Sequence, residues 1–193
     1  GGVIFSVTSS DLSLNITNSA TFDANVSIND GGAIYVDGSV DISCSNLYIK
    51  YNNSSNNGGF ADIESSGSLT LNASSDISIN NNNSSVNGGC IYNDGTCNIV
   101  GGSINCYDNI ANDGGCIYND NICDISADSL TCMDNNANDN GGVIYNYTSG
   151  TLNINVTDIS FNANYSNLNG GCIYNYNSCN ITATSLTCMD NSA

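Results

Sequence analysis

The sequence predicts an all-β fold, a right-handed single-stranded parallel β-helix made of seven stacked coils. Three observations predict it. A Gly-Gly pair recurs every 26 to 30 residues, short stretches of alternating polar and apolar residues follow each pair, and one asparagine keeps a matching place in every interval. Because an interval of this length cannot bury a hydrophobic face alone, we expect the intervals to stack and share one core.

The Gly-Gly pairs set the boundaries of the coils. They divide a single predicted domain, residues 1–193, into the coils 1–30, 31–57, 58–87, 88–113, 114–140, 141–169 and 170–193. A short apolar word follows six of the seven pairs, as in Ala33-Ile34-Tyr35, whereas the coil at residue 58 continues with Phe60-Ala61-Asp62. Glycine at these places indicates sharp corners, since it adopts backbone angles that other residues avoid.

Two further stretches in each coil alternate with period two, which is typical of a β-strand with one buried face. In the coil at residue 141 the second stretch carries Leu152 and Ile154, and the third carries Ile159 and Phe161. The sequence therefore predicts three short strands per coil. Stacking at about 4.8 Å would pair each strand with its equivalents in the coils above and below.

An asparagine follows the third stretch in every coil, and where another Gly-Gly pair comes next it precedes that pair by five or six residues. No other polar position is as constant. The seven residues are Asn25, Asn52, Asn82, Asn109, Asn135, Asn164 and Asn191. Because amide side chains repeated at the coil spacing can hydrogen-bond to one another, they predict a structural asparagine ladder inside a turn.

Two of these words resemble the repeats of chlamydial polymorphic outer membrane proteins and related surface adhesins, which carry Gly-Gly-Ala-Ile and Phe-x-x-Asn. The matching segments are Gly31-Gly32-Ala33-Ile34, Phe22-Asp23-Ala24-Asn25 and Phe161-Asn162-Ala163-Asn164. In three other coils cysteine replaces the phenylalanine, so the resemblance lies in the repeats alone. It implies a β-helical surface or adhesin-like shaft, and it brings no catalytic residues.

The charge of the chain excludes several classes of partner. Lys50 is the only basic side chain, histidine is absent, and eighteen acidic groups give a net charge of −17. Such a surface repels phosphate, so we expect no nucleic acid partner and no binding to anionic membranes. Apolar runs of only a few residues predict no membrane insertion. We interpret the chain, which opens on Gly1-Gly2, as a mature secreted or cell-surface segment.

Cysteine is the most unusual feature of the composition. Three coils share the spacing Cys-x6-Cys-x8-Cys, with Cys90, Cys97, Cys106, then Cys116, Cys123, Cys132, then Cys172, Cys179, Cys188. The residues are either small core hydrophobes or disulfide partners. Since the three positions switch together, and the last of these coils has cysteine-free neighbours, the pattern favours one disulfide within each coil and leaves its pairing open. A metal site is not favoured, because the chain has no Cys-x2-Cys spacing and no histidine.

Glycosylation is predicted at four Asn-x-Ser/Thr sequons in the second stretch, where strand alternation turns the asparagine outward: Asn15, Asn72, Asn155 and Asn180. Four ladder asparagines also begin sequons, but their amides are expected to be occupied by stacking. An aromatic column after the Gly-Gly pairs is either a sugar-binding stripe or a stack that stabilises the sheet, and the second interpretation is favoured. It comprises Phe5, Tyr35, Tyr92, Tyr118, Tyr145 and Tyr174.

These features favour a structural function over catalysis. A lyase of this fold class needs a strong base and cations, which the chain lacks apart from Lys50. A polysaccharide-acting glycosidase needs only a pair of carboxylates, which the many aspartates could supply, and it stays a remote alternative. We expect no catalytic residues, no cofactor and no metal. The prediction is a subunit of a secreted filament that binds further copies of itself head-to-tail. The alternative is an adhesin-like shaft domain of a longer cell-surface protein, with cell-surface or glycan partners.

Overall fold

The computed structural model describes residues 2–193 and contains β-strands and turns, with no helix in that range. It accordingly holds no helix long and apolar enough to span a membrane. Every pairing between the named strands is parallel. The predicted all-β parallel β-helix is therefore confirmed.

The strands alternate between short and long segments along the chain. In order they are β1 (Ile4–Ser6), β2 (Asp11–Asn15), β3 (Ser19–Asp23), β4 (Val26–Ser27), β5 (Ile34–Val36), β6 (Ser39–Lys50), β7 (Asn53–Ser54), β8 (Ala61–Ile63), β9 (Ser68–Asn80), β10 (Asn83–Ser84), β11 (Ile91–Asn93), β12 (Thr96–Tyr107), β13 (Ile110–Ala111), β14 (Ile117–Asn119), β15 (Ile122–Met133), β16 (Asn136–Ala137), β17 (Ile144–Asn146), β18 (Thr151–Asn162), β19 (Tyr165–Ser166), β20 (Ile173–Asn175), β21 (Ser178–Thr182) and β22 (Ser185–Met189).

Three parallel sheets run the length of the solenoid. The strands that follow the Gly-Gly pairs form the first sheet, in the order β1-β5-β8-β11-β14-β17-β20. The long strands form the second, in which β6, β9, β12, β15 and β18 lie between β2 and β3 at one end and β21 and β22 at the other. Two-residue strands form the third, in the order β4-β7-β10-β13-β16-β19. The first six coils therefore contribute to all three sheets, and the seventh contributes strands to the first two.

The division into strands differs from the prediction of three short strands per coil. The second and third predicted stretches are one continuous strand of 12 or 13 residues in five coils, for example β15. The polar residues between the two stretches coincide with a local shift of register where β9 pairs with β6 and with β12, as between Gly101 and Ser103, and pairing resumes beyond it. In the first six coils the last strand is instead the two-residue segment after the ladder asparagine, which is too short to show a period.

The core lies inside the solenoid and is built from columns of equivalent residues. Ile42, Leu71, Ile99, Ile125 and Ile154 occupy one register position in successive coils and are 0–2% exposed. Alternation in the strands turns these side chains inward and their neighbours outward. Stacking buries each side chain against the coils on both sides, which no single coil can do.

The two glycines of each pair have different structural roles. The first has a positive φ of 60–66° in six coils, which non-glycine residues rarely adopt. The second faces the backbone of the next coil: a Cβ atom on Gly142 would lie 2.2 Å from the carbonyl oxygen of Gly171. The pair thus combines a left-handed corner with a close approach of two coils.

Candidate functional site: the polar ladders and the coil ends

The seven predicted ladder asparagines form one continuous chain of hydrogen bonds. From Asn25 to Asn164, each Nδ2 donates to the Oδ1 of the next asparagine at 2.7–3.0 Å, and each backbone N–H donates to the same oxygen at 3.0–3.1 Å. From Asn52 onward the Nδ2 also donates to a carbonyl oxygen of the preceding coil. The five inner members are completely buried. Their hydrogen-bonding capacity is fully used, as burial of an amide requires.

The residue before each ladder asparagine explains why the chain turns there. All seven of these residues have a positive φ between 50° and 55°, although none is glycine. Asp108, Asp134 and Asp190 are among them, and aspartate tolerates this conformation better than most residues. The turn directs the asparagine into the interior and the following two residues into the third sheet.

A second asparagine ladder was missed by the sequence analysis. The amides of Asn93, Asn119, Asn146 and Asn175 are linked coil to coil by Nδ2 to Oδ1 hydrogen bonds of 2.7 Å each. The first three are completely buried at the end of the first sheet. The tripeptide Ile-Tyr-Asn occurs in four coils, and this repetition in the sequence indicates the second ladder. The column is shorter because Val36 and Ile63 fill the same position in earlier coils.

The disulfides predicted within the coils are absent, and this prediction was wrong for the structure described. All ten cysteines are free. The sulfur of Cys106 interacts with Cys116 and Cys132 of the next coil, and Cys97 interacts with Cys123. In the coils at residues 88 and 114 the cysteines therefore pack against one another in one shared core. Contacts between thiols do not explain the set in the coil at residue 170, where Cys179 and Cys188 are paired with Leu152 and Phe161.

Burial controls the chemistry of these thiols. Burial raises the pKa of Cys90 and of Cys132 well above the usual value. These two thiols accordingly remain protonated and poorly nucleophilic at neutral pH. In the last coil the burial is partial, yet it still raises the pKa of Cys172 to about 12. Inside the solenoid, cysteine serves as a small apolar residue.

The four sequon asparagines predicted to carry glycans are all exposed. Asn15, Asn72 and Asn155 occupy one register column on the outside of the second sheet, in the first, third and sixth coils. Asn180 lies in a parallel column two residues away and donates to Oδ1 of Asn153 at 2.9 Å. All four could accept a glycan from outside without disturbing the core, and their glycosylation stays a prediction.

The aromatic column is stacked on the outside of the first sheet. Tyr92, Tyr118, Tyr145 and Tyr174 form successive pairs with ring centroids 5.0–5.1 Å apart and nearly parallel planes. Phe5 and Tyr35 form another pair at 4.9 Å. Asp62 separates the two groups, since it takes the register position between Tyr35 and Tyr92. Cross-strand stacking therefore accounts for most of the column, and the interruption needs its own explanation.

The two end coils expose residues that other coils bury. Leu186 is 57% exposed, whereas Ile159, its partner in the preceding coil, is 2% exposed. Ile181 is 41% exposed against 1% for Ile154. At the other end Leu12 and Leu14 are only partly buried, whereas their partners Val40 and Ile42 in the next coil are completely buried. Each end therefore presents an unpaired sheet edge together with apolar side chains.

The asparagine ladder is incomplete in opposite ways at these ends. The Nδ2 of Asn191 donates to the carbonyl oxygen of Phe161 at 2.8 Å, and its second hydrogen has no acceptor in the described chain. At the opposite end, Oδ1 of Asn25 accepts no hydrogen bond from residues 2–193. One end thus offers a donor and the other an acceptor.

Within residues 2–193, no group of three or more His, Cys, Asp or Glu side chains is arranged to hold a metal ion. Searches with models of protein families, against curated proteins and against solved structures find no match for this chain. The resemblance to polymorphic outer membrane protein repeats rests on the Gly-Gly-Ala-Ile and Phe-x-x-Asn words alone, so membership of that family stays a prediction.

Proposed function

We propose that this chain is a structural subunit of an extracellular filament, in which the last coil of one copy stacks on the first coil of the next. The observation that carries the proposal is the ladder that ends in a free donor at Asn191 and a free acceptor at Asn25. A second copy placed in register supplies both missing partners. Head-to-tail stacking thus continues the hydrogen-bond pattern that already joins the seven coils.

The hydrophobic surfaces of the end coils support the same arrangement. Leu186 and Ile181 belong to inward columns, so a further coil would remove them from water as it does their equivalents in the inner coils. Burial of such side chains contributes roughly 25 cal/mol per Å² of apolar surface. Unpaired sheet edges also bind strands of another chain readily. These gains favour association of the ends over association of the polar sides.

The assembly has a defined axial geometry. Seven coils at about 4.8 Å give an axial repeat near 34 Å for each copy. Aligned filaments of purified protein should therefore diffract at both spacings along the axis. Isolated particles at all concentrations, or a lateral assembly without the 34 Å repeat, would contradict the filament.

A pair of matched variants tests whether the ends carry the assembly. Leu186→Asp places a carboxylate on the apolar end surface, where a stacked coil would bury it. Val100→Asp adds the same charge on the side of the solenoid, at a residue 41% exposed. Sedimentation and electron microscopy should show shorter filaments or monomers for Leu186→Asp and normal filaments for Val100→Asp. Equal assembly by the two variants would refute a junction at this end.

The end surfaces also suit the alternative, in which the chain is an adhesin-like shaft domain of a longer cell-surface protein and further coils of the same polypeptide cover them. The sedimentation experiment separates the two functions, because a shaft domain of this kind needs no second copy. The extracellular location and the glycans belong to both. Peptide mapping of native material should find glycans at Asn15, Asn72, Asn155 and Asn180, and unmodified asparagine at all four would remove that support.

A further inference from the structure

Asp62 is the one residue that interrupts the aromatic column between Phe5 and Tyr174. Its position faces outward, as those of Tyr35 and Tyr92 do, yet it is only 2% exposed. None of the hydrogen bonds within residues 2–193 involves its carboxylate, although the fully enclosed oxygen atoms without a partner are Oδ1 of Asn136 and of Asn162. A carboxyl group this buried is costly to ionise, and a cation bound beside it would offset that cost.

The surroundings of Asp62 increase this cost. Burial first, and then the carboxylates of Asp30, Glu64 and Asp94, raise the pKa of Asp62 to about 8, and the positive charge of the amino terminus opposes this rise only in part. Glu64 is itself bound to the neighbouring ring, since the Tyr35 hydroxyl donates to its Oε1 at 2.7 Å. The only basic side chain of the protein, Lys50, is paired with Asp23 at 3.2 Å. No positive side chain of the described residues balances this group.

We propose that the gap at Asp62, between the rings of Tyr35 and Tyr92, is a binding site for an organic cation with an ammonium or guanidinium group. The carboxylate supplies a charged hydrogen-bond acceptor for such a group. The two aromatic rings supply the faces over which alkylammonium and guanidinium groups bind. The surrounding acidic side chains attract a cation from solution.

The spacing of the column fits one such group. Neighbouring rings lie 4.9–5.1 Å apart, so Tyr35 and Tyr92, two coils apart, stand about 10 Å apart. A cation midway between them is about 5 Å from each ring, inside the range of about 6 Å over which cation–π attraction acts. Entry requires the Tyr35 hydroxyl to release Glu64, which a rotation of one partly exposed side chain provides.

A divalent metal fits the site less well. Calcium and magnesium bind six or more oxygen atoms arranged around the ion, whereas no three acidic side chains of the described residues form such a group. The two rings at the sides of the gap contribute faces and not oxygen ligands. The chemistry of the site therefore favours a cation carried on carbon, either a free polyamine or a lysine or arginine side chain of another protein.

Calorimetric titration tests the proposal, with spermidine and the amide of Nα-acetyl-lysine as probes in 150 mM salt. Wild-type protein should bind at least one probe at a single site and release protons on binding. Affinity should rise at least about tenfold between pH 6 and pH 8.5, because the carboxyl group ionises over that range. Spermidine binding alone indicates a free polyamine, and binding of the lysine amide indicates a protein side chain.

Three variants separate this site from the general negative charge. Asp62→Asn keeps the shape and removes the charge, so affinity should fall at least about tenfold. Asp62→Tyr restores the aromatic column and should abolish binding. Asp128→Asn removes one exposed carboxylate elsewhere and should bind like wild type. Circular dichroism and melting temperature establish that each variant is folded.

Three outcomes overturn the proposal: equal binding by Asp62→Asn and wild type, absence of probe binding to the folded wild type, and a site that binds calcium but neither probe. None of them bears on the filament, which depends on the end coils and is measured by sedimentation.

Discussion

Replacing Asn135 by alanine removes one inner member of the asparagine ladder. The side chain is completely buried. Its Oδ1 accepts from the backbone N–H and the Nδ2 of Asn109 at 3.1 and 2.9 Å, and its Nδ2 donates to the carbonyl oxygen of Cys106 at 2.9 Å and to Asn164 at 3.0 Å. A longer hydrogen bond runs from its Nδ2 to the carbonyl oxygen of Met133 at 3.2 Å. The variant therefore leaves two donors of Asn109 without their acceptor and removes the amide donor from the carbonyl group of Cys106.

Each buried polar group that loses its partner costs about 1–3 kcal/mol. The space left by the amide admits a water molecule that recovers part of this cost. We therefore expect Asn135→Ala to lower the free energy of unfolding by about 3 kcal/mol, toward the lower end of the sum over three groups.

Denaturant unfolding followed by circular dichroism measures this loss. Asn138→Ala is the matched control, because Asn138 lies in the same coil, is exposed and makes one side-chain hydrogen bond at the surface. We expect it to change the free energy of unfolding by no more than about 0.5 kcal/mol. An Asn135→Ala protein as stable as wild type, or two variants with equal losses, would refute the role of the ladder.

Three further perturbations have defined outcomes. Asp62 has a pKa of about 8 in the folded protein against 3.8 unfolded. Its contribution to stability therefore falls as the pH rises from 4 to 8, by at most about 6 kcal/mol. The melting temperature of Asp62→Asn should lack this fall, and a variant whose melting temperature depends on pH as that of the wild type does would contradict the raised pKa. Thiol labelling of native protein should modify the exposed Cys188 first and the seven buried cysteines only after unfolding; fewer than ten reactive thiols in unfolded, unreduced protein would reveal disulfides. Gly142→Ala places a Cβ atom 2.2 Å from a backbone oxygen and should cost about 3 kcal/mol, whereas Gly101→Ala meets only the side chains of Ile77 and Ile104, at 3.3–3.4 Å; similar melting temperatures for the two variants would argue against the close approach.

The features with a regular signal could be predicted from the sequence. The Gly-Gly period fixes the number of coils because each pair combines a left-handed corner with a backbone contact that excludes larger residues. The asparagine that ends each third stretch is similarly constrained, since its amide needs equivalent amides above and below. A residue that contacts its own equivalents in the neighbouring coils must recur in every coil, and such a recurrence can be read from the sequence alone.

The features without repetition could not be predicted. The strand Asn53–Ser54 is too short for its alternation to show, and its pairing follows only from the turn before it. The thiol contacts depend on how far each sulfur reaches across the core, which the spacing of the cysteines does not specify. Asp62 stands at an outward position where alternation predicts exposure, and its burial depends on its position between Tyr35 and Tyr92.

The strands run across the axis of the solenoid, which determines how it responds to mechanical force. Tension along the axis pulls directly on the hydrogen bonds between two coils and does not shear them, so the coil at the loaded end separates first. Residues 114–140 form one coil of 27 residues, which extends to about 90 Å but occupies about 4.8 Å when stacked. A single chain held at its two ends would therefore lengthen in steps of about 85 Å while the remaining coils stay intact. It would dissipate the energy of a sudden pull one coil at a time.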